Sequence, residues 1–117
     1  MDVIYCDFMK AFDTVPHNRL NLVLKFYGVN GLVLAWIMDF LRDRKQRVMV
    51  NKVPSSWHEV ISGIPQGSVL GPVLFVVFIN TLVDAVKSSD VFLFADDTKM
   101  YRGIFQPSRI TCYFKQI

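Results

Sequence analysis

VFLFADDTK, residues 91–99, sets two adjacent carboxylates, Asp96 and Asp97, directly after an apolar run. Val91 to Ala95 predicts an apolar strand, Asp96-Asp97 a turn, and Thr98 to Arg102 the returning strand. Adjacent carboxylates at the end of an apolar strand are costly unless something compensates their charge. A divalent cation is the natural compensation, being hard and oxygen-seeking. Asp7 stands in the same context, after Val3-Ile4-Tyr5-Cys6, at the end of a short buried strand expected over 2–8. If the two strands pair, Asp7 and Asp96 converge from opposite ends of the chain. Convergent carboxylates around paired Mg²⁺ ions suit two-metal phosphoryl transfer. The plainer reading stays open at this point, with Asp96-Asp97 an ordinary hairpin turn and Asp7 a strand-end cap.

Between these strands the pattern turns helical. Leu20, Val23, Leu24 and Tyr27 repeat at three and four residues and predict a helix that stops at Gly28. Val33, Trp36, Ile37, Phe40 and Leu41 predict a second helix after Gly31. Val48 and Val50 alternate with Arg47, Met49 and Asn51, the period of a half-buried strand. Pro54-Ser55-Ser56 is expected to turn the chain, and Trp57 to Ile61 to return as the hairpin partner. Ser62 to Gly67 reads as a loop, and a third helix is expected from about Pro72 to Val86. The glycines of that loop, Gly63 and Gly67, let a backbone approach a ligand closely. Gln66 adds a donor and an acceptor. A plain strand-to-helix turn explains the same residues.

Composition bounds the rest. The chain has 117 residues, one small domain's worth, and such a length buries about 65% of its unfolded surface. Hydrophobic residues at 52% with charged residues at 20% exclude disorder. Two cysteines, Cys6 and Cys112, are too few for a disulfide framework and read as reduced thiols of an intracellular protein, nuclear or cytoplasmic. No basic segment followed by an apolar run opens the chain, so no signal peptide is expected. The net charge is +3, but residues 42–52 alone carry +4, from Arg42, Arg44, Lys45, Arg47 and Lys52 against Asp43. A local patch of this kind suits phosphate backbones, or is a solvated turn. Mean hydropathy is +0.32, and residues 60–83 hold no charge. That run is interrupted by Gly63, Pro65, Gly67, Gly71 and Pro72, so a buried helix is expected rather than a membrane span. His17 and His58 have no partners at metal-ligand spacing.

Three segments, taken in order, resemble one family. Residues 7–17, DFMKAFDTVPH, look like the first palm motif of non-LTR retrotransposon reverse transcriptases. Residues 62–72, SGIPQGSVLGP, resemble the second motif, and residues 94–99, FADDTK, the double-aspartate box. The similarity runs from about Val3 to Tyr101, and its style is that of jockey-like LINE elements. The resemblance implies an α+β palm fragment over residues 1–102, with a small antiparallel sheet carrying the acids and packed against helices. Residues 103–117 show no family pattern and are expected to be an unrelated or frameshifted tail.

The resemblance implies RNA-templated DNA synthesis with two Mg²⁺ ions. Asp7 and Asp96 are the implied main metal ligands, Asp97 the less directly engaged second acid, and the carbonyl of Phe8 a further ligand. Phe12 is the implied bulky residue beneath the incoming sugar. Gln66 and Gly67 are implied contacts to nucleotide and template. Arg42, Arg44, Lys45 and Arg47 of the basic segment are candidate contacts to the nucleic-acid backbone, which the motifs do not require. RNA template, DNA primer and deoxynucleotide are the implied partners, with no membrane. Family members add fingers and thumb regions that these residues do not show, so this chain alone is expected to be inactive. Asn80-Thr81 departs from the family, which usually has an acid after the Asn. The alternatives are a non-catalytic nucleic-acid-binding remnant and a small membrane protein.

Overall fold

The computed structural model describes residues 2–103. The expected tail, apart from Gly103, and Cys112 with it, lies outside the described residues. The architecture is mixed α+β, three helices with small antiparallel sheets. Strand β1 is Asp2–Asp7, and two helices follow, α1 over His17–Phe26 and α2 over Gly31–Leu41. Four two-residue strands come next, β2 Lys45–Gln46, β3 Met49–Val50, β4 Val53–Pro54 and β5 His58–Glu59. Helix α3 spans Leu70–Ala85, and β6 Asp90–Phe94 and β7 Asp97–Arg102 end the described chain.

Helix α1 ends where the sequence places the stop. Gly28 takes φ +85°, its N–H reaches the Lys25 carbonyl, and the Val29 N–H reaches Leu24. This pair of bonds satisfies carbonyls that a helix end leaves open, and the left-handed conformation suits glycine. The apolar faces then meet. Leu20 and Leu24 of α1, Leu34, Ile37 and Leu41 of α2, and Leu74 and Phe75 of α3 form one buried cluster. Ala11, Val15 and Ile64 close it from the flanking loops. α1 packs against both other helices.

The main sheet has the order β1-β7-β6, antiparallel throughout. None of its strand residues belongs to the helical cluster, which reaches the sheet through the segment after β1. The expectation of a sheet packed broadly on helices therefore changes in detail. Only Thr98 and Met100, on the inner side of β7, are buried, while Ile4, Cys6, Val91 and Leu93 on the same side are half-buried. Cys6 is a free thiol.

The segment after α2 departs furthest from expectation. The chain reverses at Asn51-Lys52, where φ is +49° and +65°, not at Pro54-Ser55-Ser56. Two positive φ angles define the tight hairpin turn whose twist matches its flanking strands. Pro54 lies in β4 opposite Met49, and β2 pairs with β5 further down the same arm. The expected single pair over 47–51 and 57–61 is thus two short ladders, and nearly every residue of the arm is exposed. The expected turn at Asp96-Asp97 is shifted likewise. Phe94 pairs with Asp97, so the turn is Ala95-Asp96 and Asp97 opens β7. Ala95 adopts φ +53°, a value this hairpin position normally gives to glycine. No helix among the described residues is long and apolar enough to cross a membrane.

Candidate active site

β1 and β7 run antiparallel with Asp7 opposite Asp97, Tyr5 opposite Lys99 and Val3 opposite Tyr101. Residues directly opposite share a face, with Cβ atoms about 4.5–5.5 Å apart. Asp7 and Asp97 therefore stand side by side on the exposed face, at the end of the sheet where the β6–β7 hairpin turns. Like charges in that position repel and weaken the sheet. Asp96 sits in the turn beside them and is half-buried. The register thus sets Asp97, not Asp96, opposite Asp7.

Further along the same face, Lys99 lies between Tyr5 and Phe92 in register. Its Nζ stands 5.4 Å from the centre of the Tyr5 ring, and Phe92 stacks on Tyr101 at 5.4 Å. The face therefore runs from paired carboxylates at one end into a band of aromatic side chains.

Two loops are joined beside this sheet. The Ile64 N–H donates to the Phe12 carbonyl at 2.8 Å, and the Gly63 N–H to the Val15 carbonyl at 2.8 Å. Ser62 Oγ donates to the Asp13 carbonyl at 2.9 Å, and His17 Nε2 donates to the Gly63 carbonyl at 2.7 Å. Gly63 is at φ +88°, and a Cβ there would fall 2.7 Å from the Asp13 Cα and carbonyl oxygen. The approach of these backbones leaves no room for a side chain. Below them the Phe12 ring stacks on Phe75, with centroids 4.1 Å apart. Gly71 makes a second close approach, its Cα packed against the Pro65 carbonyl, and its N–H meets Ser68 Oγ at 2.9 Å. The loop that follows β1 and the loop that precedes α3 are in effect one platform.

The other anticipated residues fall around this platform. Phe8 is half-buried against the core, and its carbonyl accepts the Ala11 N–H at 3.2 Å, leaving a second lone pair. Phe12 is half-buried and fixed by the Phe75 stack. Gln66 is exposed, and Gly67 takes φ +81° with open space where a Cβ would lie. Arg42, Lys45 and Arg47 are exposed on the arm, and Arg44 is half-buried. His17 is the residue that sequence reasoning missed. Its partner lies 46 positions away, and no metal spacing or helical period marks it.

The carboxylates suit a hard divalent cation by their chemistry, having only oxygen to offer and no opposing strand charge other than each other. Asp7 and Asp97 are brought together, with Asp96 adjacent in sequence. Among the described residues, however, no three His, Cys, Asp or Glu side chains are grouped closely enough to share one ion.

The profile of a family described as reverse transcriptase (RNA-dependent DNA polymerase) matches residues 3–102. The RNA-directed DNA polymerase from mobile element jockey of Drosophila melanogaster is 38% identical over 101 residues, covering 80% of this chain and 11% of that relative. The probable RNA-directed DNA polymerase from transposon X-element of the same species is 32% identical over 98 residues, 80% of this chain and 11% of the relative. A retrovirus-related Pol polyprotein from the type-1 retrotransposable element R2 of Popillia japonica is 29% identical over 82 residues, 70% of this chain and 14% of the relative. The chain spans about a tenth of the length of these relatives.

Proposed function

The chain belongs to the reverse transcriptase (RNA-dependent DNA polymerase) family of non-LTR retrotransposons, and we propose that residues 1–102 are the catalytic palm segment of an element's RNA-directed DNA polymerase. The observation that carries this reading is the meeting of Asp7 with the β6–β7 hairpin at one end of a single sheet. Asp7, Asp96 and Asp97, with the carbonyl of Phe8, are the groups that would hold two Mg²⁺ ions. Ions held there would supply activation of a primer 3′-hydroxyl and positive charge against that developing on the transferred phosphate.

The chain's own residues do the positioning. The hydrogen bonds from Ser62, Gly63, Ile64 and His17 hold the loop after Asp7 against the loop that carries Gln66 and Gly67. Gln66, exposed and with both a donor and an acceptor, meets the incoming deoxynucleotide or the template base. Gly67 lets the strand approach its backbone. Phe12, anchored by Phe75, sets the floor beneath the sugar and excludes a ribose 2′-hydroxyl.

By itself the 117-residue chain turns over no substrate. Positioning of reactants supplies about 7–11 kcal/mol of such a barrier, and in the relatives most of the polypeptide lies outside the matched segment. Two measurements test the reading. In the 117-residue chain, Mg²⁺ raises the melting temperature, and Asp7→Asn or Asp97→Asn removes the rise. In a polypeptide extended by the flanking segments of the relatives, primer extension on an RNA template is lost on Asp7→Asn and on Asp96→Asn. Extension that survives both substitutions overturns the assignment.

A further inference from the structure

The inner side of the main sheet holds one polar pair among apolar side chains. Cys6 of β1 stands directly opposite Thr98 of β7, one rung from Asp7 and Asp97. Residues so paired share a face, with Cβ atoms about 4.5–5.5 Å apart. Ile4, Leu93 and Met100 border the pair on that side. Thr98 is 2% exposed, and its Oγ1 is buried with no hydrogen-bond partner, the thiol opposite included. Cys6 is a free thiol, half-buried and so still open to a small reagent. A buried hydroxyl without a partner is rare, and it calls for a polar atom that the reduced protein does not supply.

We propose that Cys6 is a site of oxidation by hydrogen peroxide, and that Thr98 holds the resulting sulfenic acid. The thiolate attacks one peroxide oxygen, and an S–O bond forms as the O–O bond breaks. Sulfur gives up two electrons, and the departing hydroxide takes the proton that the thiol released, leaving water. The product carries an oxygen one atom beyond the sulfur, within reach of a hydroxyl on the paired strand. That oxygen accepts a hydrogen bond from Thr98 Oγ1 or donates one to it, so the orphaned hydroxyl gains its partner. A sulfenic acid is ordinarily lost by condensing with a second thiol or by further oxidation to the sulfinic acid. Among the described residues no second thiol stands beside Cys6. An ionised sulfinate would set a charge among Ile4, Leu93 and Met100, which is costly. The sulfenic acid therefore accumulates at Cys6.

No step of this chemistry uses the carboxylates or a metal ion, so it stands apart from the polymerase reading. The test uses the full chain carrying Cys112→Ser, which leaves Cys6 as its one thiol. An equimolar amount of hydrogen peroxide is added at pH about 8.5, where an ordinary thiol is half ionised. Dimedone then traps sulfenic acid, and peptide mass spectrometry reads the yield. A dimedone adduct is expected on the peptide that holds Cys6. Adding Thr98→Val lowers its yield roughly 5-fold, the equivalent of one ordinary hydrogen bond, and Thr98→Ser restores most of it. Asp7→Asn leaves the yield unchanged, whatever it does to the response to Mg²⁺. No oxidation at Cys6 overturns the proposal, as does sulfinic acid as the only product there. Equal yields with and without Thr98→Val overturn it as well.

Discussion

Gly63→Ala strikes the point where the two active-site loops touch. The substitution meets two separate costs. The residue sits at φ +88°, and an L side chain in left-handed backbone costs about 1–2 kcal/mol. The new Cβ would also lie 2.7 Å from the Asp13 Cα and carbonyl oxygen, backbone atoms that cannot swing aside. Relief requires the loops to part, and parting strains the bonds from Gly63 to Val15, Ile64 to Phe12 and His17 to Gly63. Each such bond contributes about 1 kcal/mol net, so losing two of them brings the total to about 3–4 kcal/mol. That is a large part of a domain stability of about 5–15 kcal/mol. Gly67→Ala is the matched control, at φ +81° but with nothing within 4 Å of the added carbon. It meets only the backbone cost, about 1–2 kcal/mol. Urea unfolding of both variants, at low protein concentration, reads the difference as a shift in midpoint at constant slope. Gly63→Ala is expected to lose at least about 2 kcal/mol more than Gly67→Ala, or roughly 8 °C or more in melting temperature. Equal losses in the two variants would mean that the loops are not held in contact, and the platform described above would fall with them.

Three further outcomes follow from particular side chains. Phe75→Ala removes a ring that is 2% exposed and stacked on Phe12, and it is expected to cost about 3–5 kcal/mol by the same unfolding assay. A loss below about 1.5 kcal/mol would show that the Phe12 floor is not anchored there. Thr98 is 2% exposed and its hydroxyl has no partner, an arrangement costing about 1–3 kcal/mol, so Thr98→Val is expected to raise stability. A destabilised Thr98→Val would reveal a bond to that hydroxyl. Partial desolvation and the Asp84 carboxylate, 3.3 Å from the phenol, push the Tyr27 pKa above its usual 10.0. The folded state thus favours the protonated phenol, and whatever this adds to stability is present below pH 10.0 and lost as pH rises through the raised value. Phenolate absorbance is expected to show one late-titrating tyrosine that Tyr27→Phe abolishes and Asp84→Asn shifts down; a curve that Asp84→Asn leaves unmoved would refute the pairing.

The exposed apolar surface bears on how such measurements are made. Leu32, Val33 and Trp36 on α2, and Val69, Val73 and Val76 along the start of α3, are all at least half exposed. Apolar patches of this kind mark contacts with other polypeptide or lead to aggregation.

Much of the protein is local and therefore legible. The spacing of Leu20, Val23, Leu24 and Tyr27, the stop at Gly28, and the apolar strands before Asp7 and Asp96 follow from side-chain period and glycine conformation alone. The order of the three motifs, residues 7–17, 62–72 and 94–99, is likewise in the chain itself, and it suffices to place the family. Where the chain turns depends on backbone angles that residue preference sets weakly. Asn51-Lys52 took the hairpin from Pro54-Ser55-Ser56, and Ala95, with no glycine's freedom, took the turn that Asp96-Asp97 suggested. That one-residue shift decided which acid faces Asp7. Strand register has a period of two, so a single step exchanges every side chain's face, and the pairing of β1 with β7 is fixed by the whole sheet rather than by the acids. The clasp between Phe12–His17 and Ser62–Ile64 is written mostly in backbone N–H and carbonyl groups, which every residue carries. Residue types announced the carboxylates, the glycines and the basic arm; only long-range backbone pairing determined which of them stand together.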